Sequence, residues 1–279
     1  VRKSLDKRQS DYENLEVKAT NKHLVLERGP QGDLTKADLI AEEVAVALVY
    51  NGISHAVMML TPQDLTDFAI GFSLTEGILT SLKQLRSLEL VESNQGIEVR
   101  MEIASEAFAN LKQRRRQLSG RTGCGICGLE SLDAVQPEVV SRAGVTLPSY
   151  QVVDDAAGKL KSAQLIQAQC GAVHAAALFD AQANLVCLRE DVGRHNALDK
   201  LLGAINADKA EVPADSFILV SSRASFEMVS KAAKCGFNTL VAVSAPTKMA
   251  IELATSANMN LVGFVRPQRQ LVYVQAVVA

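Results

Sequence analysis

The sequence has little net charge, few cysteines and no long apolar run, and each shortage excludes a class of protein. A formal charge of −2 over 279 residues is a poor match for general nucleic-acid binding, which needs a surplus of Lys and Arg to neutralise phosphates. No uninterrupted apolar stretch reaches the roughly 20 residues that span a bilayer. The opening residues Val1-Arg2-Lys3-Ser4-Leu5-Asp6-Lys7-Arg8 are not followed by an apolar segment, so the expected location is the cytoplasm, with no membrane partner. The five cysteines are odd in number, and only Cys124 and Cys127 lie close together. That is not the pattern of a secreted disulfide framework.

What is present is the balance of a folded chain: 48% of residues are hydrophobic and 22% charged, enough to form two cores. The expected division is an N-terminal α+β domain over residues 1–148 and a C-terminal domain over 149–279. Residues 1 to about 15 are charged and aperiodic and read as a lead-in. From Val44 a strand pattern runs into Asn51-Gly52 and returns through Leu60, the signal of a hairpin with a type I′ turn. Thr61-Pro62-Gln63-Asp64 then reads as an N-cap, a proline at the first helical position and a first-turn acid. The helix it opens carries Leu65, Phe68, Ala69 and Phe72 as its buried stripe. Leu88–Val91 and Ile97–Ile103 predict a second hairpin around Asn94-Gln95-Gly96, and a helix follows from Ser105 to about Leu118.

In the second half a helix is predicted from about Val152 to Gln169, then hairpin strands Ala172–Phe179 and Leu185–Leu188. A helix from Arg194, strand Ser216–Val220, a helix from Ala224, strand Thr239–Val243, a helix from Thr247 to about Ala257 and strand Leu261–Val265 follow. Leu271–Gln275 is expected at an edge. This alternation predicts an α/β fold arranged as a three-layer sandwich.

Between the halves lies Ser119-Gly-Arg-Thr-Gly-Cys-Gly-Ile-Cys-Gly128, whose four glycines predict a mobile loop rather than a regular element. A thiolate, not a thiol, attacks sulfur, and Arg121 with the run Arg114-Arg115-Arg116 supplies positive surroundings. Cys127 could relay a persulfide from Cys124, or release its sulfur by closing a disulfide. Three other readings stay open here. A Cys-x-x-Cys pair can be half of a zinc site, although Cys170, Cys187 and Cys235 are scattered singly. It can serve dithiol redox chemistry, although such motifs open a helix after a strand. Or the thiols can have no role, at the cost of an oxidation liability.

From the first hairpin onward the sequence resembles the FdhD family of formate dehydrogenase accessory proteins. The resemblance is carried by Arg121-Thr-Gly-Cys-Gly-Ile-Cys-Gly128, Val173-His-Ala-Ala-Ala-Leu178, Arg189-Glu-Asp-Val-Gly-Arg-His-Asn-Ala-Leu-Asp-Lys200, Ser222-Arg-Ala-Ser-Phe-Glu-Met-Val229 and Val243-Ser-Ala-Pro-Thr247. It departs from the family pattern at Cys170 and at Ser221-Ser222. The resemblance implies a sulfurtransferase that accepts sulfur from a cysteine desulfurase as a persulfide. The recipient it implies is the molybdenum bis(molybdopterin guanine dinucleotide) cofactor of a client formate dehydrogenase, with GDP as a partial mimic. By the same resemblance Cys124 bears the persulfide, Cys127 is its partner, and the protein is a homodimer. A non-catalytic chaperone that binds cofactor and apo-dehydrogenase is the competing reading.

The family fold resembles that of cytidine deaminases, which hold zinc through His-x-Glu and Pro-Cys-x-x-Cys at two helix starts. Here those starts read Arg194-His195-Asn196-Ala197 and Ser222-Arg223-Ala224-Ser225. The glutamate and both cysteines are missing, so zinc deamination is not expected and no metal ligands are assigned. Helix starts bearing Arg194, His195, Ser222 and Arg223 suit a pyrophosphate instead. The segment Phe264-Val265-Arg266-Pro267-Gln268-Arg269 resembles the family's cofactor-binding segment, and its arginines suit phosphates. Glu190 and Asp191 are expected to orient Arg194 or cap the helix from Gly193, and His174 to be a hydrogen-bonded core residue.

Overall fold

A computed structural model describes residues 18–118, 141–207, 212–213 and 215–278. Among them, β1 (Thr20–Gly29) and β2 (Gly32–Ala41) form a separate antiparallel ribbon. A four-stranded sheet follows, built from β3 (Val44–Tyr50), β4 (Ile53–Leu60), β5 (Leu85–Ser93) and β6 (Gly96–Ile103) in the order β4-β3-β6-β5. Asn51 and Gly52 both adopt positive φ, 47° and 76°, as a type I′ turn demands. Helix α1 (Leu65–Thr75) and helix α2 (Ser105–Leu118) cover this sheet. Val46, Leu48, Val99 and Met101 on the sheet face Leu65, Phe68, Ala69, Phe72 and Leu111 in one core.

The second half holds α3 (Tyr150–Ala163), α4 (Leu165–Cys170), β7 (His174–Phe179), β8 (Leu185–Asp191), α5 (Arg194–Ala207) and β9 (Phe217–Val220). It continues with α6 (Phe226–Lys234), β10 (Thr239–Ala242), α7 (Lys248–Ser256), β11 (Asn260–Arg266) and β12 (Arg269–Val274). The strands form a mixed sheet in the order β12-β11-β10-β9-β7-β8. Strands β9, β10 and β11 run parallel, and β7 is antiparallel to both β8 and β9. Side chains alternate across a strand: Ala176, Leu178, Ile218 and Leu240 meet α5, α6 and α7 on one face, and Ala175, Phe217, Leu219 and Val241 meet α3 on the other. The chain is therefore an α/β protein of two domains, each with its own sheet and core. Residues 142–147 run along the C-terminal one, where the carbonyls of Arg142, Ala143 and Val145 accept bonds from Asn258, Asn238 and Asn260.

The structure corrects three local expectations. The ribbon over residues 20–41 has no counterpart in the sequence reading. Helix α1 starts at Leu65, with Asp64 at φ 55° in the cap position and no side-chain cap, because Thr61 is engaged elsewhere. Its N–H donates to Asp191 Oδ2, its hydroxyl accepts from Val192 N–H, and its carbonyl accepts from Lys200 Nζ. The helix predicted over 152–169 is broken at Gln164, whose ψ of 88° is not helical. The free N–H groups of Ile166 and Gln167 in the new helix start donate to the Glu190 carboxylate at 2.9 Å each.

Candidate functional site

The topology gathers the candidate residues at one edge of the six-stranded sheet. Strands β9, β10 and β11 end there, antiparallel β7 begins there, and β8, running with them, ends there too. At those ends stand Arg194 and His195 in the helix start after β8, Ser222 and Arg223 after β9, Ser244 after β10, and Phe264 to Arg269, which runs from the last residues of β11 through the turn to the first of β12. Ligands of open α/β sheets bind outside the carboxyl ends of strands.

Backbone hydrogen bonds run along this edge. Ser244 N–H donates to Ser222 O at 3.3 Å, and Phe264 N–H donates to Ser244 O at 3.2 Å. Phe264 has φ 53°, a left-handed conformation that costs a bulky residue about 1–3 kcal/mol and collects at functional positions. The residue is 38% exposed, an aromatic side chain at the edge. Gly263 before it is required by packing, since a Cβ there would lie 2.9 Å from Pro246 Cδ. Val265 points away into the α3 core and can offer a ligand only its backbone. Pro267 and Gln268 form the turn between β11 and β12, with φ 62° at Gln268, so the segment is a hairpin tip.

The arginines differ in what they are free to do. Arg223 is exposed, and its side chain bonds no described residue. Arg266 Nη1 donates to the carbonyls of Val243 and Val265, tying the ends of β10 and β11, while its remaining nitrogens bond no described residue. Arg194 Nε is buried without a hydrogen-bond partner among the described residues. An orphaned buried donor is costly, and at the start of a 14-residue helix an anion would satisfy it.

His195 Nε2 lies 2.8 Å from Glu227 Oε2 on α6, a contact that sequence reasoning missed. The ring N–H is not aligned on that oxygen, and a small rotation of either side chain completes the bond. The approach of His195 is the largest influence on Glu227; it outweighs burial and holds that carboxyl below its usual range. His174 is half-buried at the start of β7 and makes no side-chain hydrogen bond to a described residue, so it faces this edge rather than serving the core. Burial first, then the charges of Arg194 and His195, push its imidazole pKa down.

Neither Glu190 nor Asp191 bonds Arg194, but the alternative expectation, a cap on the helix start at Gly193, is met by Asp191. Glu190 caps α4, as described, and Asp191 is wholly buried. Asp191 accepts from Gly193 N–H at 2.8 Å and Asn196 Nδ2 at 3.0 Å and pairs with Lys200 Nζ at 2.7 Å. Asn196 also donates to Met59 O, which places the end of β4 beside the start of α5. Cys124 and Cys127 lie outside the described residues, as does the loop predicted around them.

The comparisons with known proteins agree along nearly the whole chain. A curated relative, the sulfur carrier protein FdhD of Cupriavidus necator, is 50% identical over 268 residues, covering 91% of this chain and 88% of that protein. A crystal structure assigned as a formate dehydrogenase accessory protein from Desulfotalea psychrophila superimposes with a TM-score of 0.71 at 22% identity. That match covers 92% of this chain and 97% of the other, and at this identity it speaks to the fold. Residues 41–277 match the FdhD/NarQ family, and the chain belongs to that family.

Proposed function

We propose that this protein takes sulfur as a persulfide on Cys124 from a cysteine desulfurase and delivers it to the bis(molybdopterin guanine dinucleotide) cofactor of a formate dehydrogenase, held at the carboxyl edge of the six-stranded sheet. A sulfurtransferase role in formate dehydrogenase maturation follows from the family and from 50% identity to a sulfur carrier protein. The orphaned Arg194 Nε is the observation that carries the location, because an anion bound at that helix start would satisfy it. Arg194, Arg223 and the remaining nitrogens of Arg266 would hold the diphosphate, and Phe264 would lie against a ring. The cofactor supplies the metal that receives sulfur.

The chemistry at the cysteines is an exchange between sulfurs. The Cys124 thiolate attacks the outer sulfur of the donor's persulfide and frees the donor thiolate. Cys127 can then close a disulfide with Cys124, expelling the carried sulfur as hydrosulfide, and a thiol reductant reopens the pair. We read the C-terminal domain as deaminase-like and the division between domains as falling near residue 148. A cytoplasmic location fits the finding that no helix among the described residues is long and apolar enough to cross a membrane. A homodimer would give the β1–β2 ribbon a partner, since Leu24 and Leu26 share one of its faces at 71% and 58% exposure and two-stranded ribbons are marginal alone.

The test is to incubate the protein with a cysteine desulfurase and cysteine, then weigh the peptide spanning Cys124 and Cys127. One added sulfur on Cys124 supports the carrier. No added sulfur, under conditions that load a control acceptor, supports the chaperone reading instead.

A further inference from the structure

We propose that Glu227 is a positioning residue of the candidate nucleotide site, acting through His195 so that a diphosphate is bound together with one proton. This rests on the carboxyl edge being the nucleotide site, and it adds a residue and a proton balance to that reading.

The geometry places the His195 ring between opposite charges. Glu227, in the first turn of α6, faces Nε2 at 2.8 Å, with Ser225 Oγ 3.5 Å from the same carboxylate oxygen and Lys231 acting on it from one turn further along. Arg194 precedes the ring on α5, and His174 approaches from the start of β7. The hydrogen bond made by one ring nitrogen decides what the other carries. With Glu227 ionised and accepting from Nε2–H, a neutral His195 presents Nδ1 as a lone pair. No described residue bonds Nδ1. A lone pair repels a phosphate oxygen, whereas a proton taken from solvent onto Nδ1 turns the same atom into a donor and leaves Nε2–H with Glu227. The reaction is protein plus nucleoside diphosphate plus one proton, giving the complex, with no covalent change. His174 does not compete for that proton, because burial, Arg194 and His195 all disfavour its charged form.

The experiment is calorimetric titration of the full chain with GDP in two buffers of different ionisation enthalpy, which counts protons taken up, repeated at several pH values. The nucleotide's own terminal phosphate titrates near pH 6, so the readout is the difference between wild type and variants. His195→Gln is expected to lose the excess proton uptake. Glu227→Gln is expected to reduce that uptake and weaken GDP about three- to tenfold, the size of one ordinary hydrogen bond, with Glu227→Asp recovering part of both. Thermal unfolding of each variant checks that the fold is intact; were Glu227→Gln destabilised, the comparison moves to Glu227→Asp, which must then differ from wild type in proton uptake. Uptake in His195→Gln or Glu227→Gln equal to that of wild type, with GDP still bound, overturns the inference and leaves the site. Failure of wild type to bind GDP at low salt overturns the site and the inference together.

Discussion

Gly71 on α1 and Gly203 on α5 meet with no room for a side chain between the helices. A Cβ added to Gly71 would stand 1.8 Å from Asp199 O, and one added to Gly203 would stand 1.8 Å from Asp67 O. Both obstacles are backbone, so neither can swing aside. Gly71→Ala and Gly203→Ala are each expected to cost about 3 kcal/mol or more, the upper range for overpacking. Urea unfolding gives the number, and a midpoint within error of wild type would contradict so close a crossing.

The joint between the two halves is also electrostatic, through Lys231. Its ammonium contacts Asp199 Oδ2 and Glu76 Oε1 at 2.9 Å each and Thr75 Oγ1 at 2.8 Å. Burial alone would lower the Lys231 pKa, but the two carboxylates outweigh it and raise it. Burial alone would raise that of Glu76, but Lys231 outweighs it and lowers it. For Glu76 the contribution is present above the unfolded carboxyl value of roughly 4.3 and fades as pH falls through its lower folded value. For Lys231 it is present below roughly 10.4 and fades only in stronger base. Lys231→Met would leave Asp199 buried and unpaired, at an expected cost of about 3–5 kcal/mol. The loss of stability between pH 5 and pH 3 should also be shallower in Glu76→Gln than in wild type, read by denaturant midpoints at each pH.

Arg223 and Arg266 separate binding from scaffolding. Arg223 bonds no described residue, so Arg223→Ala is expected to weaken GDP by about 1.5–3 kcal/mol with an unchanged melting temperature. Arg266 ties Val243 to Val265, so Arg266→Ala should lower both affinity and melting temperature. Affinity in wild type should fall as salt is raised. Calorimetry and thermal unfolding on the same samples distinguish the two arginines, and unchanged GDP affinity in both variants would remove them from the site.

Cys124→Ala is expected to abolish maturation of the client dehydrogenase while GDP affinity stays at the wild-type level, because the proposed nucleotide residues stand on the sheet edge. Cys127→Ala should be impaired to a lesser degree if its thiol only assists release. Dehydrogenase activity in cells carrying each variant, set beside GDP titration of the purified variants, tests both. Parallel loss of GDP binding in Cys124→Ala would contradict the separation.

Elements announced by local chemistry were legible in the sequence. Asn51-Gly52 gave the turn between β3 and β4 because only certain residues accept two successive positive φ values, and alternating strand and helix patterns gave the six-stranded sheet. The β1–β2 ribbon escaped because its strands mix Lys, Asp and Glu with Leu on both faces, though Gly29-Pro30-Gln31-Gly32 carries a turn signal. Thr61 looked like a helix cap because its partners, Asp191, Val192 and Lys200, are far away in the chain. For the candidate site, the arginines and the Phe264 segment were legible as motifs. The pairing of His195 with Glu227 was not, since it joins two helices whose relative placement only the folded sheet determines.

The clasp at Thr61 also has a consequence for synthesis. Thr61 and Asp191 are separated by 130 residues, Thr75 and Asp199 by 124, and Thr75 and Lys231 by 156. While the chain emerges from the ribosome, the four-stranded sheet can close from its own hairpins and take up the apolar stripe of α1, but the face of α1 that carries Gly71 has no partner until α5 has been translated. Contacts of such separation form late, because the loop they close must first lose its entropy. Until then the groove at Gly71 and the polar group at Thr75 face solvent. A nascent chain arrested before residue 200 would therefore be more protease-sensitive across α1 than one extended past Lys231.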